Sequence, residues 1–237
     1  MKFIFHIAFP VLVCAMEGQA ATINYQTPSG SSTGGGAVSA TAVVTTGAGI
    51  VNITLNNLLA NPTDVSQLIS DFDFVLSNGA TVGTLTSSAG PQVTVNGDGT
   101  FTSGGTASTG WGLNNNVGGG LQLNALGFIG PAGLIIGAPG GPTYSNANGS
   151  IAGNGPHNPF INQSATFQIT VAGVTTSTLV TSATFSFGTA AGVDVTGCVV
   201  GTVNCGASTS TVPEPISLAL TGSGLLGLYF IRRRSAS

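Results

Sequence analysis

Thr166-Phe167-Gln168-Ile169-Thr170-Val171 decides the fold class. Apolar Phe167, Ile169 and Val171 alternate with polar Thr166, Gln168 and Thr170. A period of two puts the two sets on opposite faces of a pleated strand. The alternation recurs on both sides of this stretch. Phe185 and Phe187 alternate with Thr184 and Ser186, and Phe72, Phe74 and Leu76 with Asp71, Asp73 and Val75. Val51, Ile53 and Leu55 alternate with Asn52, Thr54 and Asn56. Thr, Val, Ile and Phe are the residues that pack well on a pleat. Turn signals separate the runs: Asn78-Gly79, Ala89-Gly90-Pro91, Asn96-Gly97-Asp98-Gly99 and Ala172-Gly173. The pattern predicts an all-β body, a two-sheet sandwich or jelly roll.

One helical piece interrupts it. Asn61-Pro62-Thr63-Asp64 is a start signal, and Val65, Leu68 and Ile69 line one side of the turn or two that follow. Two stretches have no period. Residues 28–36 read as a Ser/Gly/Thr-rich loop, and residues 137–159 as a long loop rich in Gly, Pro and Asn, either functional or mobile.

Composition narrows the partners. Residues 22–211 contain no lysine and no arginine, and their only acids are Asp64, Asp71, Asp73, Asp98 and Asp194. Ser, Thr, Asn and Gln must do the solvating that charge usually does. No lysine or arginine salt bridge can form within this body. Nucleic acid is excluded as a partner because nothing neutralises phosphate. The length suits one domain with an adequate core.

Both ends of the 237-residue chain read as export signals. Met1-Lys2 is a positive start, residues 3–16 are apolar apart from His6 and Pro10, and Gly18-Gln19-Ala20 offers small residues for cleavage after Ala20 or Ala21. Residues 1–21 are therefore assigned as a signal peptide, discarded with Cys14. At the other end Pro213-Glu214-Pro215 precedes sixteen uncharged residues, 216–231, and then Arg232, Arg233 and Arg234. As a helix that run spans roughly 24 Å against a hydrocarbon core of about 30 Å. It is predicted to be a single transmembrane helix, short but workable with local thinning. The three arginines should stay cytoplasmic as a membrane stop, with everything before them outside.

Pro213-Glu214-Pro215, the apolar helix and the arginine cluster, in that order, resemble the PEP-CTERM sorting signal of Gram-negative bacteria. The resemblance covers the tail alone. It implies recognition by an exosortase, a membrane-embedded cysteine transpeptidase, and processing near Pro-Glu-Pro. It also implies a precursor held transiently in the inner membrane and a product at the cell surface or outside the cell. Such proteins are often linked to exopolysaccharide and biofilm matrix. The expected organisation is a signal peptide (1–21), an all-β ectodomain (22–205), a polar spacer (206–211) and the sorting signal (212–237).

Few residues suggest chemistry. Cys198 and Cys205 are expected to form a small local disulfide in an oxidising compartment. Gly30-Ser31-Ser32-Thr33-Gly34 fits the nucleophile-elbow pattern, but the elbow needs a strand before it and a helix after it. His157 is the only histidine of residues 22–211 and reads as a turn residue whose ring bonds backbone. Asp71 and Asp73 point the same way from one strand and with a third oxygen donor would suit Ca²⁺, as would fragments of Asn96-Gly97-Asp98-Gly99-Thr100. A solvated strand face and a hairpin turn are the preferred readings, so no metal or other cofactor is assigned. Trp111, the only tryptophan, and Tyr144 are candidate glycan contacts, since flat aromatics stack on sugar rings; a core role is the plainer reading of Trp111. Asn52, Asn148 and Asn162 begin N-glycosylation triplets, a weak signal in a bacterial setting.

The function read from this is an exported, exosortase-sorted surface or biofilm-matrix protein without catalytic activity. The alternative is an exopolysaccharide-binding module. More distant readings are a secreted hydrolase using His157 and a serine, and ice binding through flat Thr-rich strand faces.

Overall fold

A computed structural model describes residues 20–127, 132–145, 147, 149–190, 192–202 and 205. The body is all-β. Its strands are β1 (Ala21–Gln26), β2 (Ser32–Thr33), β3 (Gly36–Ala37), β4 (Ala40–Gly47), β5 (Ile50–Asn57), β6 (Ile69–Leu76), β7 (Thr84–Val95) and β8 (Phe101–Ala107), followed by β9 (Gly112–Val117), β10 (Gly120–Asn124), β11 (Ile135–Ile136), β12 (Phe160–Asn162), β13 (Ser164–Thr170), β14 (Val180–Phe187), β15 (Asp194–Thr196) and β16 (Cys198–Val199). The expected sorting helix over 216–231 and residues 1–19 of the expected 1–21 signal peptide lie outside the described residues. Among the described residues no helix is long and apolar enough to cross a membrane.

Backbone pairing runs unbroken through fourteen strands, in the order β15-β14-β6-β11-β12-β7-β13-β5-β4-β1-β16, with β10 and then β9 branching from β6, and β8 on β7. β7 is the corner. Its first part, Thr84 to Ala89, pairs with β13, and its second part, from Gly90 on, pairs with β8 and β12. Ala89-Gly90-Pro91, expected as a turn, therefore lies inside a twelve-residue strand. The reason is steric. A Cβ on Gly90 would sit 2.4 Å from Ile161 Cγ2 and 2.9 Å from Ser164 O, so the chain needs glycine to bend on at this point. The neighbouring run bends at the same place, between β12 and β13, where Gln163 has φ 64°.

The ladder thus has two halves, called here the β5 half (β16, β1, β4, β5, β13 and the start of β7) and the β6 half (the rest). Their apolar faces meet in one buried cluster that includes Val51, Ile53, Leu55, Phe72, Phe74, Phe167 and Phe185. Phe72 and Phe185 lie on paired strands with ring centroids 5.1 Å apart, and Trp111 sits 5.1 Å from Phe167 of the other half. Tyr25 of β1 donates a hydrogen bond from its buried hydroxyl to Val180 O of β14 at 2.9 Å, closing the two halves on each other.

The predicted helical piece is a single 3₁₀ turn, Val65–Gln67, with Asp64 as its N-cap. Asp64 Oδ1 accepts from Ser66 N at 2.8 Å while Gln67 Oε1 accepts from Asp64 N at 3.1 Å, a capping box that needs no further turns. Asn57, unremarked in the sequence, is buried and donates from Nδ2 to both Gln67 O and Ile135 O at 2.9 Å, tying β5 to β11. The expected loop over 137–159 is irregular, yet Tyr144, Ala147 and Ile151 anchor it in the core.

Candidate functional site

The five aspartates sort into two groups by what surrounds them. Asp64 and Asp98 cap backbone. Asp98 Oδ1 accepts from Thr100 N at 2.9 Å and Thr100 Oγ1 at 2.6 Å in the hairpin turn between β7 and β8, and these bonds lower its pKa. Bonds from Ser66 likewise hold Asp64 below the ordinary carboxylate value. The Asn96–Thr100 fragment is thus a self-satisfied turn. It borders an open cleft of ≈ 500 Å³ lined by Thr63, Asp98, Tyr144 and Ser145.

The other three, Asp71, Asp73 and Asp194, share the outer face of the β6 half. Strand register makes the arrangement. One row runs Asn124, Asp71, Ser186, Asp194 across β10, β6, β14 and β15. The next row runs Asn114, Gln122, Asp73, Thr184, Thr196. Gly120 lets β10 come this close, since a Cβ there would meet Phe74 O at 2.2 Å. Flanked on both sides, Asp71 is only 8% exposed. The preferred reading of these residues as a solvated strand face is therefore corrected for Asp71.

Gln122 Nε2 donates to Asp71 Oδ2 at 2.8 Å, and Gln122 Oε1 accepts from Asn114 Nδ2 at 2.7 Å. Ser186 Oγ donates to Asp194 Oδ1 at 2.6 Å. Asp71 Oδ1 and Asp73 Oδ1 are buried without a hydrogen-bond partner. Burial raises the pKa of Asp71 to about 8, helped by the charges of Asp73 and Asp194, and burial also raises that of Asp73. A recess of ≈ 170 Å³ lies against Asp73, lined by Val75, Val117, Gly118, Ser182 and Thr184. Among the described residues, no group of three or more His, Cys, Asp or Glu side chains is placed to hold a metal.

The candidate glycan contacts lie elsewhere. Trp111 is 5% exposed and Tyr144 fully buried. Trp111 Nε1 donates to Gly133 O at 2.7 Å, and Tyr144 Oη donates to Gly137 O at 2.9 Å. Tyr144 also meets Phe101 edge-on at 5.5 Å, and burial raises its pKa to about 12. Neither ring has a free face for a sugar, which corrects the reading of both as glycan contacts. Their indole and phenol tips found backbone partners inside the body instead.

His157 Nδ1 lies 2.8 Å from Ala132 O. The Gly30–Gly34 pattern leads into the small β2–β3 hairpin with no helix after it, so the elbow's context is missing. Cys198 and Cys205 form a disulfide, with Cα atoms 5.6 Å apart. It sits beside β1, where β16 pairs through Tyr25–Val199 and Gln26–Cys198. Pro213, Glu214, Pro215 and Arg232, Arg233, Arg234 lie outside the described residues.

Residues 211–234, about a tenth of the chain, match the family model for the PEP-CTERM protein-sorting motif. No curated protein and no solved structure matches the chain. The tail is thus a PEP-CTERM sorting motif. It marks the chain as an exported, exosortase-targeted protein that passes through a membrane-anchored precursor.

Proposed function

We propose that the protein is a non-catalytic structural component of the cell surface or biofilm matrix. The exosortase engages Pro213, Glu214 and Pro215 while Arg232, Arg233 and Arg234 hold the precursor in the inner membrane. The observation that carries this reading is the sorting motif at residues 211–234, joined to a body without a single lysine or arginine. Such a body is solvated by hydroxyls and amides and can lie among hydrated polymers without adhering to polyanions. Deletion of residues 213–237 is expected to abolish display at the cell surface, read by surface labelling of intact cells. Unchanged display refutes the proposal.

A second reading, binding of exopolysaccharide, keeps a footing on a different surface from the one expected. The outer face of the β5 half carries Thr22, Thr45, Asn52 and Gln168 side by side. Thr22 and Thr45 hydroxyls lie 3.0 Å apart, and Gln168 Nε2 donates to Asn52 Oδ1 at 3.1 Å, so the face is uncharged and internally ordered. Sedimentation with purified exopolysaccharide tests it, and a chain left wholly in the supernatant ends that reading.

A further inference from the structure

We propose that Asp71 and Asp73 are the carboxylate half of a divalent-cation site on the outer face of the β6 half, with Ca²⁺ the ion its donors suit. The site is independent of Pro-Glu-Pro processing and of the exopolysaccharide reading.

The argument begins with two orphaned atoms. Asp71 Oδ1 and Asp73 Oδ1 are buried and accept no hydrogen bond. Asp71 as a whole is more than nine-tenths buried, at 8% exposure. A buried ionised oxygen without a donor carries the full desolvation penalty of its charge, and such atoms in a folded protein call for an explanation. The ordinary remedy, a lysine or arginine, does not exist in residues 22–211. The nearest charged neighbour makes matters worse. Asp194 stands one strand away across β14, and its charge acts on both carboxylates. The groups facing the pair are thus the Asp194 carboxylate from β15 and neutral oxygen-bearing side chains: Gln122 and Asn124 from β10, Ser186 and Thr184 from β14.

Two remedies are left, a proton or a cation from outside. The geometry favours the cation. The two carboxylates project from one face two residues apart, and the Gln122 amide N–H engages only Asp71 Oδ2, at 2.8 Å, which leaves both Oδ1 atoms for an ion. The ≈ 170 Å³ recess against Asp73 gives a hydrated ion room to enter and to keep part of its water. The donors are all hard oxygens, which suit Ca²⁺, an ion that accepts carboxylates, amide carbonyls and waters in flexible geometry. Because two carboxylates and neutral donors form the shell, the site should be weak. Extracellular modules of this kind work at about 10⁻⁴–10⁻³ M, where external Ca²⁺ can fill them.

The test is equilibrium dialysis of the full-length chain, stripped with EDTA, against CaCl₂ at about pH 9, above the range in which Asp71 binds its proton, so that carboxyl protons compete little. Thermal unfolding, read by fluorescence of buried Trp111, is followed in parallel. One Ca²⁺ per chain and an unfolding midpoint that rises with Ca²⁺ are expected. Asp71→Asn and Asp73→Asn should each weaken binding by about tenfold or more, as loss of one of two carboxylate ligands requires. Asp98→Asn, in the self-satisfied turn, should bind like the parent chain. Both asparagine variants keep side-chain volume and remove repulsion, and their unfolding in EDTA verifies that they fold. Absence of bound Ca²⁺ at about 10 mM overturns the proposal. Undiminished binding by the doubly substituted chain also overturns it. A midpoint that answers to pH and never to Ca²⁺ overturns it as well, because a proton alone would then neutralise the pair.

Discussion

The two outer faces of this molecule are built on the same alternation and end in opposite states. On the β5 half, Thr22, Thr45, Asn52 and Gln168 form a neutral row bonded within itself. On the β6 half, the equivalent positions hold Asp71, Asp73 and Asp194 with two carboxylate oxygens left unpaired. Period two chooses which side chains face outward, but it does not choose what flanks them. β6 lies between β10 and β14, and their Gln122, Asn124, Ser186 and Thr184 crowd the carboxylates. An outward-facing residue on a central strand can therefore be buried by its neighbours alone. The lesson is that a polar face is benign only where its groups complete one another.

This contrast can be attacked at several points. The largest effect is expected from Gly120→Val. Its side chain would collide with Phe74 O and drive β10 off β6, costing about 3 kcal/mol and exposing Asp71, read by urea denaturation. A chain unaffected by this change would show that β10 does not create the burial.

Asp71→Asn works in the other direction. A folded-state pKa of about 8 lies far above the unfolded value of 3.8, so the folded chain binds the proton more tightly. In EDTA the parent chain should lose stability as pH rises from about 4 to about 8 and level off beyond. The asparagine variant should be flatter over that range and more stable at pH 8 by on the order of 2 kcal/mol. A parent stability that rises over the same range defeats this account of the β6 face.

Replacing Cys198 and Cys205 by Ser is expected to cost up to about 2.5 kcal/mol, the loop-closure value for so short a ring. The loss should fall on the β1 edge, where protease nicking near Val199 would report it. The smallest effect belongs to the neutral face. Thr54→Lys projects outward from β5 and should change stability by less than about 0.5 kcal/mol, measured in the same denaturation series. An effect there as large as at Asp71 would erase the distinction between the faces.

Much of the fold was legible because burial left a periodic trace. Val51, Ile53, Leu55, Phe72, Phe74, Phe167 and Ile169 all face the core as alternation requires. Asp64 announced its cap, and the cysteine spacing its bridge. Ala89-Gly90-Pro91 misled because glycine and proline mark any departure from a straight strand, whether the chain reverses or bends on. Tyr144 misled, and Trp111 followed its plainer reading as a core residue, because an aromatic ring with a polar tip suits a sugar platform and a core equally well. Only the distant carbonyls of Gly133 and Gly137 decide between the two. The state of Asp71 was hidden for a related reason. Its burial is made by Gln122 and Ser186, residues far away in sequence that strand register alone brings alongside.

The disulfide has a mechanical consequence. For a chain held by its carboxyl end, pull arrives at Cys205 and crosses the sulfur bridge directly to Cys198. Val199 to Thr202 lie off that direct path. The strain passes instead to Gly197, whose amide grips Ala183 O at 2.8 Å, and into the β15–β14 pairing behind it. The covalent shortcut brings the load in at Cys198, the first residue of the two-residue β16, so that Gln26 of β1 and, through Gly197, the longer β14 take it up together.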